Sequence, residues 1–453
     1  MRIAIRILIV SFLAAASSLQ AITYIVPNDR DLVKRADAIV IATAVESHPE
    51  LRGEGRLVTV ATLQVERVIK GSIGDTVQLA ELGGSIAGRV TIIPGSPRYE
   101  NGNRYLVFLH TNNYGEWMTY GFALGKFEYV SDLRGRELLI RRTADEEIFG
   151  LDEADGSPHV EQLRDAPAFE SFVQNRVDSE APAREDYFVK RSDVIFAKFP
   201  EFQPKASAFV PRAEATAADY LFDCGGFPCK WPAPTASFYH CCSAQTGGTS
   251  LDGPGAGAGG MAAWNAVAGA NIHYTLTGAD PNPSPTPNGL GGAPDSKNDI
   301  IFNNPHGVVT GGAVAVGGIS KATGPSGCCY NTVEVDVETG SNLPSFVDQS
   351  LYTQLMTHEL GHTLGFHHSD GTSSPVSPPP ACAAPSPCAA VGQAIMASVI
   401  TKPNSIGSLG QWDLDAAQTV YGSGPVCTAP SIGIQPADVT ITSGQQTTLT
   451  VSA

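Results

Sequence analysis

Residues 358–368 read HELGHTLGFHH, and these eleven positions hold four of the ten histidines in the chain. His358 and His362 are four residues apart, so both side chains point to the same side of a helix, with Glu359 next to them. Apolar residues at helical spacing can bury another side of this helix, namely Met356, Leu360 and Leu364. The pattern predicts one helix from Val347 to Leu364 with a polar functional side.

The residues after this helix predict a third histidine at the same centre. Gly365 tolerates the left-handed conformation that ends a helix, so the chain can turn and bring His368 back. Three neutral imidazoles leave the fourth position of a tetrahedral zinc open for water, whose pKa the metal lowers to about 7. Glu359 can take the proton and hand it to a leaving amine. We therefore predict His358, His362 and His368 as zinc ligands and Glu359 as general base.

The spacing H-E-x-x-H-x-x-G-x-x-H resembles the motif of the metzincin metallopeptidases. This resemblance implies a zinc endopeptidase with a methionine turn beneath the metal, for which Met396 is the only methionine after the motif. Ser369, directly after the third histidine, resembles the matrixin branch. Three further segments resemble parts of a matrixin domain: Lys230-Trp231-Pro232 at its start, Met261–Asn265 in its first helix and Gly410–Asp415 in its last. The resemblance covers about residues 220–424.

The sequence also departs from the matrixin pattern. The stretch between Ser369 and Met396 is long and Pro-rich, and a Cys382–Cys388 bridge could tie it into a loop. Ligands for structural zinc or for Ca²⁺ form no clear motif; the nearest candidates, Asp299 and His306, are expected to have surface roles. No cysteine precedes residue 224, so the prodomain cysteine of matrixins is missing. For Cys224 we expect a disulfide with Cys229.

The order of elements in residues 220–424 predicts an α+β fold, in which a twisted mixed sheet carries the zinc-binding helix. The strand candidates are Ser237–His240, Ile272–Leu276, Asp299–Phe302, Ala313–Ile319 and Val333–Val337. The segment Ala313–Ile319 (AVAVGGI) is small and apolar, and we expect it to be the edge strand that pairs with an extended peptide substrate. The predicted substrate-binding residues are Ala313, Val314, Ala315, Val316 and Gly317.

Met1–Ala21 has the pattern of a secretory signal peptide. Arg2 and Arg6 flank the start of the apolar run Ile7–Ala16, which is too short to span a bilayer. Nine cysteines, none before Cys224, also suit an oxidising compartment. Their odd number leaves at least one thiol free or paired with another chain, and the sequence does not assign the pairs. We expect a secreted chain with no membrane contact after cleavage of the signal.

Residues 22–145 alternate apolar and polar residues between turns, which predicts a β-rich domain before the zinc motif. The stretches VERVIKG (65–71) and GNRYLVFL (102–109) loosely resemble the OB-like barrels of netrin and inhibitor modules. This domain could cover the zinc cleft, assist folding or target the protein. The other predicted parts are a linker over 146–219 with one helix, Val160–Val177, and a partial immunoglobulin-like segment over 425–453.

The composition excludes some classes of protein, and two hypotheses for the function remain. The chain has 453 residues, of which 42% are apolar and 16% charged, so it can build a packed core. Its net charge of −16 repels phosphate backbones, which argues against nucleic acid as a partner. The first hypothesis is a secreted zinc endopeptidase acting on protein or peptide. The alternative is an extracellular binding or adhesion protein with a structural or vestigial zinc site. The oligomeric state and the substrate do not follow from the sequence.

Overall fold

The structure is a computed structural model of the chain. It describes residues 23–422 except for positions 54, 144–145, 148, 180–184, 197–219, 225–226, 242–250, 281–289, 291–293, 327–328, 342, 370–393 and 398–407. Two modules follow one another along the chain. We name residues 23–196 the amino-terminal module and residues 220–422 the carboxy-terminal module.

The amino-terminal module is mostly β-structure. Its elements are β1 (Thr23–Val26), α1 (Asp29–Arg35), β2 (Ala38–Arg52), β3 (Arg56–Lys70), β4 (Thr76–Leu82), β5 (Gly84–Ile86), β6 (Arg89–Ile92), β7 (Arg104–Thr111), β8 (Trp117–Thr119), β9 (Lys126–Ser131), β10 (Glu137–Thr143), β11 (Glu146–Glu147), β12 (Phe149–Asp152), β13 (Pro158–Val160), β14 (Leu163–Asp165), α2 (Ala166–Asp178) and β15 (Phe188–Val189). A short 3-10 turn, Phe122–Gly125, links β8 to β9.

The carboxy-terminal module alternates strands and helices. Its elements are β16 (Cys229–Lys230), β17 (Thr235–Cys241), α3 (Gly253–Asn265), β18 (His273–Ala279), β19 (Asn298–Ile301), β20 (Ala313–Ser326), β21 (Cys329–Thr339), α4 (Gln349–Thr363) and α5 (Gln411–Tyr421). Each strand predicted in this part of the chain overlaps one of these strands. The predicted motif helix corresponds to α4.

Five strands of the amino-terminal module close into a ring. Strand β2 pairs with β3 and β7, β3 pairs with β4, and β8 joins β4 to β7. Alternate residues of these strands pack together on one face, among them Val40, Leu63 and Leu79. Helices α1 and α2 cover the other face, where a second apolar cluster includes Phe108 and Phe169. This ring lies where the sequence predicted a barrel.

Residues 146–189 are not a linker. The sequence predicted a linker over 146–219 with one helix at Val160–Val177, whereas the structure has five strands and α2 between positions 146 and 189. The side chain of Asp165 accepts a hydrogen bond from the first turn of α2. Buried Arg164 binds Asp29 of α1 through Nε at 2.9 Å. This segment is therefore fixed by capping and ion pairing with the rest of its module, which a search for alternating apolar residues does not detect.

The carboxy-terminal module has a mixed sheet with α3 and α4 packed on it. Strands β17, β18, β19 and β21 pair in parallel, and β20 is antiparallel to β21. Asp252 and Asp348 cap the two helices by accepting hydrogen bonds from backbone amides of the first turn. At Gly260 of α3 a Cβ atom would lie 3.0 Å from the backbone of Thr357, so glycine lets the helices approach. With two mixed sheets and five helices among the described residues, the predicted α+β class is confirmed.

Strand β20 is not an edge strand. The prediction for Ala313–Ile319 is wrong on this point, because the amino-terminal module pairs with the side of β20 that β21 leaves open. Strand β1 pairs with β20 at Ala313 and Ala315, and β6 pairs with it at Ile319 and Ala322. With β5, β12 and β13 these strands extend the carboxy-terminal sheet to eleven strands. The paired residues are more than 200 positions apart in the chain, so no local pattern predicts their contact.

Three predictions concern residues outside the described part of the chain. They are the signal peptide (Met1–Ala21), the Cys382–Cys388 bridge and the immunoglobulin-like segment 425–453. All three stay predictions. Among the residues that the structure describes, no helix is both long enough and apolar enough to cross a membrane.

Candidate metal centre

Helix α4 carries three of the four predicted zinc-site residues. His358, Glu359 and His362 lie on its second half, and all three are fully buried. Two tryptophans hold the helix backbone from outside: Trp264 of α3 donates its indole N–H to the Thr357 carbonyl at 2.8 Å, and Trp231 donates to the Thr363 carbonyl at 3.0 Å. The helix is thus fixed by its neighbours along the turns that present the polar side chains.

A glycine turn brings the third histidine to the helix. Gly365 has φ +92°, and a Cβ atom there would lie 2.6 Å from the Cys229 carbonyl oxygen, so only glycine fits. The turn is held by segment 220–222: Phe222 N–H donates to the Gly365 carbonyl at 2.8 Å, and Tyr220 accepts from the His367 amide at 3.1 Å. The use that the sequence analysis assigned to Gly365 agrees with this geometry.

The three predicted ligands converge through their Nε2 atoms. The Nε2 of His358 lies 2.8 Å from that of His362 and 3.3 Å from that of His368. One ligand nitrogen from each of the three lies within 4.8 Å of the others. Nitrogens that share a tetrahedral zinc at about 2.1 Å are about 3.4 Å apart. The spacing of the three nitrogens is therefore close to what a zinc ion needs.

Backbone carbonyls orient two of these rings. Nδ1 of His358 lies 2.6 Å from the Ile395 carbonyl oxygen, and Nδ1 of His362 lies 2.7 Å from that of Phe366. Since a carbonyl can only accept, each Nδ1 carries the hydrogen and each Nε2 keeps a lone pair aimed at the centre. Three lone pairs facing one another repel unless a cation lies between them. The residues present thus fit a metal ion by donor type as well as by spacing.

The environment keeps these histidines neutral. Burial lowers the pKa of His358 to about 4. Burial and the neighbouring imidazoles hold the pKa values of His362 and His368 well below the usual range. Neutral imidazole is the form that binds a metal, so the site needs no deprotonation before binding at neutral pH.

Met396 packs against helix α4 at Gly361. It is fully buried, and a Cβ atom on Gly361 of α4 would lie 2.2 Å from its sulfur, so the helix contacts the methionine closely. The Ser369 amide donates to the Met396 carbonyl at 2.7 Å, which ties this loop to the third histidine. The methionine turn that the resemblance implies for Met396 stays a prediction.

Asp413 of α5 supports the methionine loop and was missed by the sequence analysis. Its carboxylate accepts hydrogen bonds from the amides of Ile395 at 2.7 Å and Met396 at 3.1 Å. Burial raises its pKa to about 7, while these backbone hydrogen bonds act in the opposite direction. A signal was present: Asp413 lies on the same helical face as buried Ala416, Ala417 and Val420. A carboxylate within an apolar helical face indicates a buried polar role.

The predicted substrate-binding residues lie against the metal centre, but they are covered. Ala313, Val314, Ala315 and Val316 are buried. The Gly317 amide donates to Oε2 of Glu359 at 2.6 Å, and a Cβ atom on Gly317 would lie 2.2 Å from the Glu359 carbonyl oxygen. Strand β20 and the candidate general base are thus in direct contact.

Two residues that were expected at the surface are buried. His306 is fully buried and its Nδ1 lies 2.8 Å from a carboxylate oxygen of Glu338. Asp299 is 3% exposed, and burial together with nearby carboxylates raises its pKa to about 7. Neither belongs to the histidine centre, which is the one metal-type cluster found among the described residues. The expected disulfide between Cys224 and Cys229 is present.

Comparisons with protein-family models, with curated proteins and with solved structures found no match. The histidine centre combines three converging neutral imidazoles with a buried carboxylate, Glu359, on the same helix.

Proposed function

We propose that this protein is a secreted zinc endopeptidase of the metzincin type. The observation that carries the proposal is the convergence of three Nε2 atoms, from His358, His362 and His368, on the helix that also carries the buried Glu359. A site that only stabilises the fold closes its metal with four protein ligands. Here three histidines converge, and the neighbouring Glu359 has the chemistry of a base.

The chain supplies three functions to the reaction. When bound, zinc supplies a Lewis acid that polarises the peptide carbonyl and makes water more acidic. Glu359 takes a proton from the attacking water and passes it to the nitrogen of the leaving amine. Strand β20 offers backbone groups for pairing with an extended peptide only when β1 and β6 have left it. Asp413 holds the loop of Met396, which packs against helix α4. The substrate class is protein or peptide; the acidic chain has no chemistry suited to nucleic acid.

Replacement of Glu359 tests the proposal. The Glu359→Gln variant is expected to keep about one zinc per chain and to lose about 10²- to 10⁴-fold in kcat/KM, because only proton transfer is removed. Hydrolysis is measured on a quenched peptide library with and without a chelator. The comparison is made in the full chain and again with Ile25→Pro, which is designed below to expose the centre.

A matched control separates chemistry from helix stability. Thr353→Ala changes a partly exposed residue one and a half turns earlier on α4 and should leave zinc content and rate unchanged. If Glu359→Gln cleaves as fast as this control, the proposed mechanism is wrong.

The alternative is a binding or adhesion protein with a structural or vestigial zinc. The modular arrangement supports it, since more than half of the described residues belong to a module in which no cluster of potential metal ligands was found. Bound zinc with no chelator-sensitive cleavage in the exposed variant would favour this alternative. If the protein binds no zinc, both the catalytic and the structural interpretation of this site are wrong.

A further inference from the structure

The amino-terminal module covers the strand that borders the metal centre. Thr23 and Tyr24 of β1 are paired with Ala315 and Ala313 of β20, and the Ile25 amide donates to the Gly312 carbonyl at 2.6 Å. On the other side of Gly317, β6 is paired with β20 through Ile92 and Val90. The free side of β20 is thus occupied before and after the residue that contacts Glu359.

An apolar cluster shared by both modules seals this contact. The amino-terminal module contributes Tyr24, Val26, Leu82, Ile93, Met118, Phe122, Ala123 and Leu124. The carboxy-terminal module contributes Leu290, Val308, Val309, Ala313 and Val316. Every one of these side chains is at most 6% exposed. A peptide substrate therefore cannot reach β20 while the modules stay docked.

Strand β1 is oriented toward the reacting centre. Because β1 and β20 are antiparallel, moving from Tyr24 to Thr23 corresponds to moving from Ala313 to Ala315, in the direction of Gly317. An extended peptide that augments a strand pairs through the same backbone groups. The first strand of the amino-terminal module thus takes the place that a substrate strand would need.

The ring of Tyr24 adds a side chain to this closure. It is 3% exposed and belongs to the apolar cluster that the two modules share. The same cluster contains Ala313 and Val316 of β20. The Tyr24 side chain is therefore part of the buried contact that keeps β1 on β20.

We propose that the amino-terminal module is an intramolecular inhibitor of the metal centre, in which β1 occupies the substrate position on β20 and Tyr24 anchors β1 in the apolar cluster that the two modules share. Inhibition depends on the proposed peptidase function, whereas the coverage of β20 by β1 and β6 does not. The device needs no cysteine, and residues 22–219 contain none. Opening requires that β1 and β6 leave β20.

Three variants of the full chain test the closure, and the first two loosen it on opposite sides of Gly317. Ile25→Pro removes the amide that bonds the Gly312 carbonyl. Gly318→Ala places a Cβ atom 2.5 Å from the Ile92 carbonyl oxygen and so pushes β6 away. Tyr24→Ala removes a buried ring from the apolar cluster that the two modules share. As a control, Tyr187→Ala removes a buried ring that packs on Phe169 and Phe172, away from β20.

The first readouts do not depend on catalysis. Hydrogen exchange of amides in 313–319 and the rate at which phenanthroline removes zinc both report access to the centre. We expect each to rise about tenfold in the three variants, because local opening controls both. The control should stay within about twofold of the parent, since its change destabilises the module without freeing β20. Equal exchange and zinc-removal rates in parent and variants would overturn the proposal.

Hydrolysis of a quenched peptide then separates this inference from the proposed function. Open variants that cleave about tenfold faster than the parent support both. Open variants that hold zinc but do not cleave would refute the peptidase and leave the closure standing. A parent that cleaves as fast as the open variants would refute inhibition and leave the peptidase standing. An equal rise in the Tyr187→Ala control would show that general destabilisation is the cause, which also refutes the specific role of β1.

Discussion

The two modules differ in the cations that surround their buried carboxyl groups. In the amino-terminal module, Arg164 binds Asp29 and Glu161, and Arg141 binds Glu161 at 2.6 Å, all with side chains at most 3% exposed. Burial alone would raise the pKa of Glu161, but the two guanidinium groups hold it well below its usual range. In this network the buried acids remain charged because buried arginines accompany them.

The carboxy-terminal module has no arginine between residues 220 and 424. Its buried carboxyl groups therefore have few cations near them, and burial raises the pKa values of Asp299, Glu334 and Asp413 to about 7. The pKa of Asp336 is raised as well, by burial and by the neighbouring Glu334 and Asp299. The amino-terminal module thus uses buried ion pairs to hold its segments together, while in the carboxy-terminal module burial raises the pKa values of carboxyl groups that have few cations near them.

The largest expected effect is the loss of stability of the amino-terminal module when one buried arginine is removed. Arg164→Ala leaves Asp29 and Glu161 without their shared cation, which costs about 3–5 kcal/mol in the free energy of unfolding. The loss should appear in the amino-terminal module, measured by hydrogen exchange during urea unfolding. Arg30→Ala is the control, because the Arg30–Glu185 bridge is nearly half exposed and contributes at most about 0.5 kcal/mol. Equal losses in the two variants would contradict the role assigned to the buried network.

A methyl group on the metal helix should have an intermediate effect. Gly361→Ala forces a Cβ atom against the Met396 sulfur, and overpacking of this kind costs about 1–3 kcal/mol. Because His358 and His362 flank this position, zinc affinity should fall along with stability, as measured by competition with a chromophoric chelator. In Gly259→Ala of α3 the new Cβ meets only a methyl of Thr353 at 3.0 Å, so it should change zinc affinity little. Unchanged zinc affinity in Gly361→Ala would argue against a close contact between helix α4 and Met396.

The pH response of the carboxy-terminal module should show the smallest effect. Asp299 and Glu334 have folded-state pKa values of about 7, above the value of about 4 for unfolded chains, so their ionisation opposes folding. The free energy of unfolding should thus fall as the pH rises from about 4 to about 7. Tryptophan fluorescence during urea unfolding measures this, since three of the four tryptophans lie in this module.

The Asp299→Asn variant checks the cause of that slope. It should flatten the pH dependence and unfold at higher urea than the parent at pH 8, whereas Asp193→Asn at an exposed position should not. A parent that gains stability between pH 5 and pH 8, or an unchanged slope in Asp299→Asn, would show that these carboxyl groups do not control the module.

Local patterns predicted most of the elements and the ligand set. Helix α4, the turn at Gly365 and the β-rich character of residues 22–145 follow from spacing of three to four residues or from alternation. The linker was wrong because Arg164 and Asp165 fix that segment through partners far away in sequence or through a cap. Asp413 was missed because its partners, the amides of residues 395 and 396, belong to a loop 17 to 18 residues earlier in the chain.

The sequence by itself determined which side chains could bind a metal, since helical geometry aligns His358 with His362 and only glycine permits the turn that returns His368. It also determined that nearly all buried cations would lie in the amino-terminal module, because the arginines are there. Only the tertiary structure decided that β1 and β6 cover β20. Pairing between strands more than 200 residues apart depends on complementary edges and a shared apolar cluster, and neither leaves a periodic signal in the sequence.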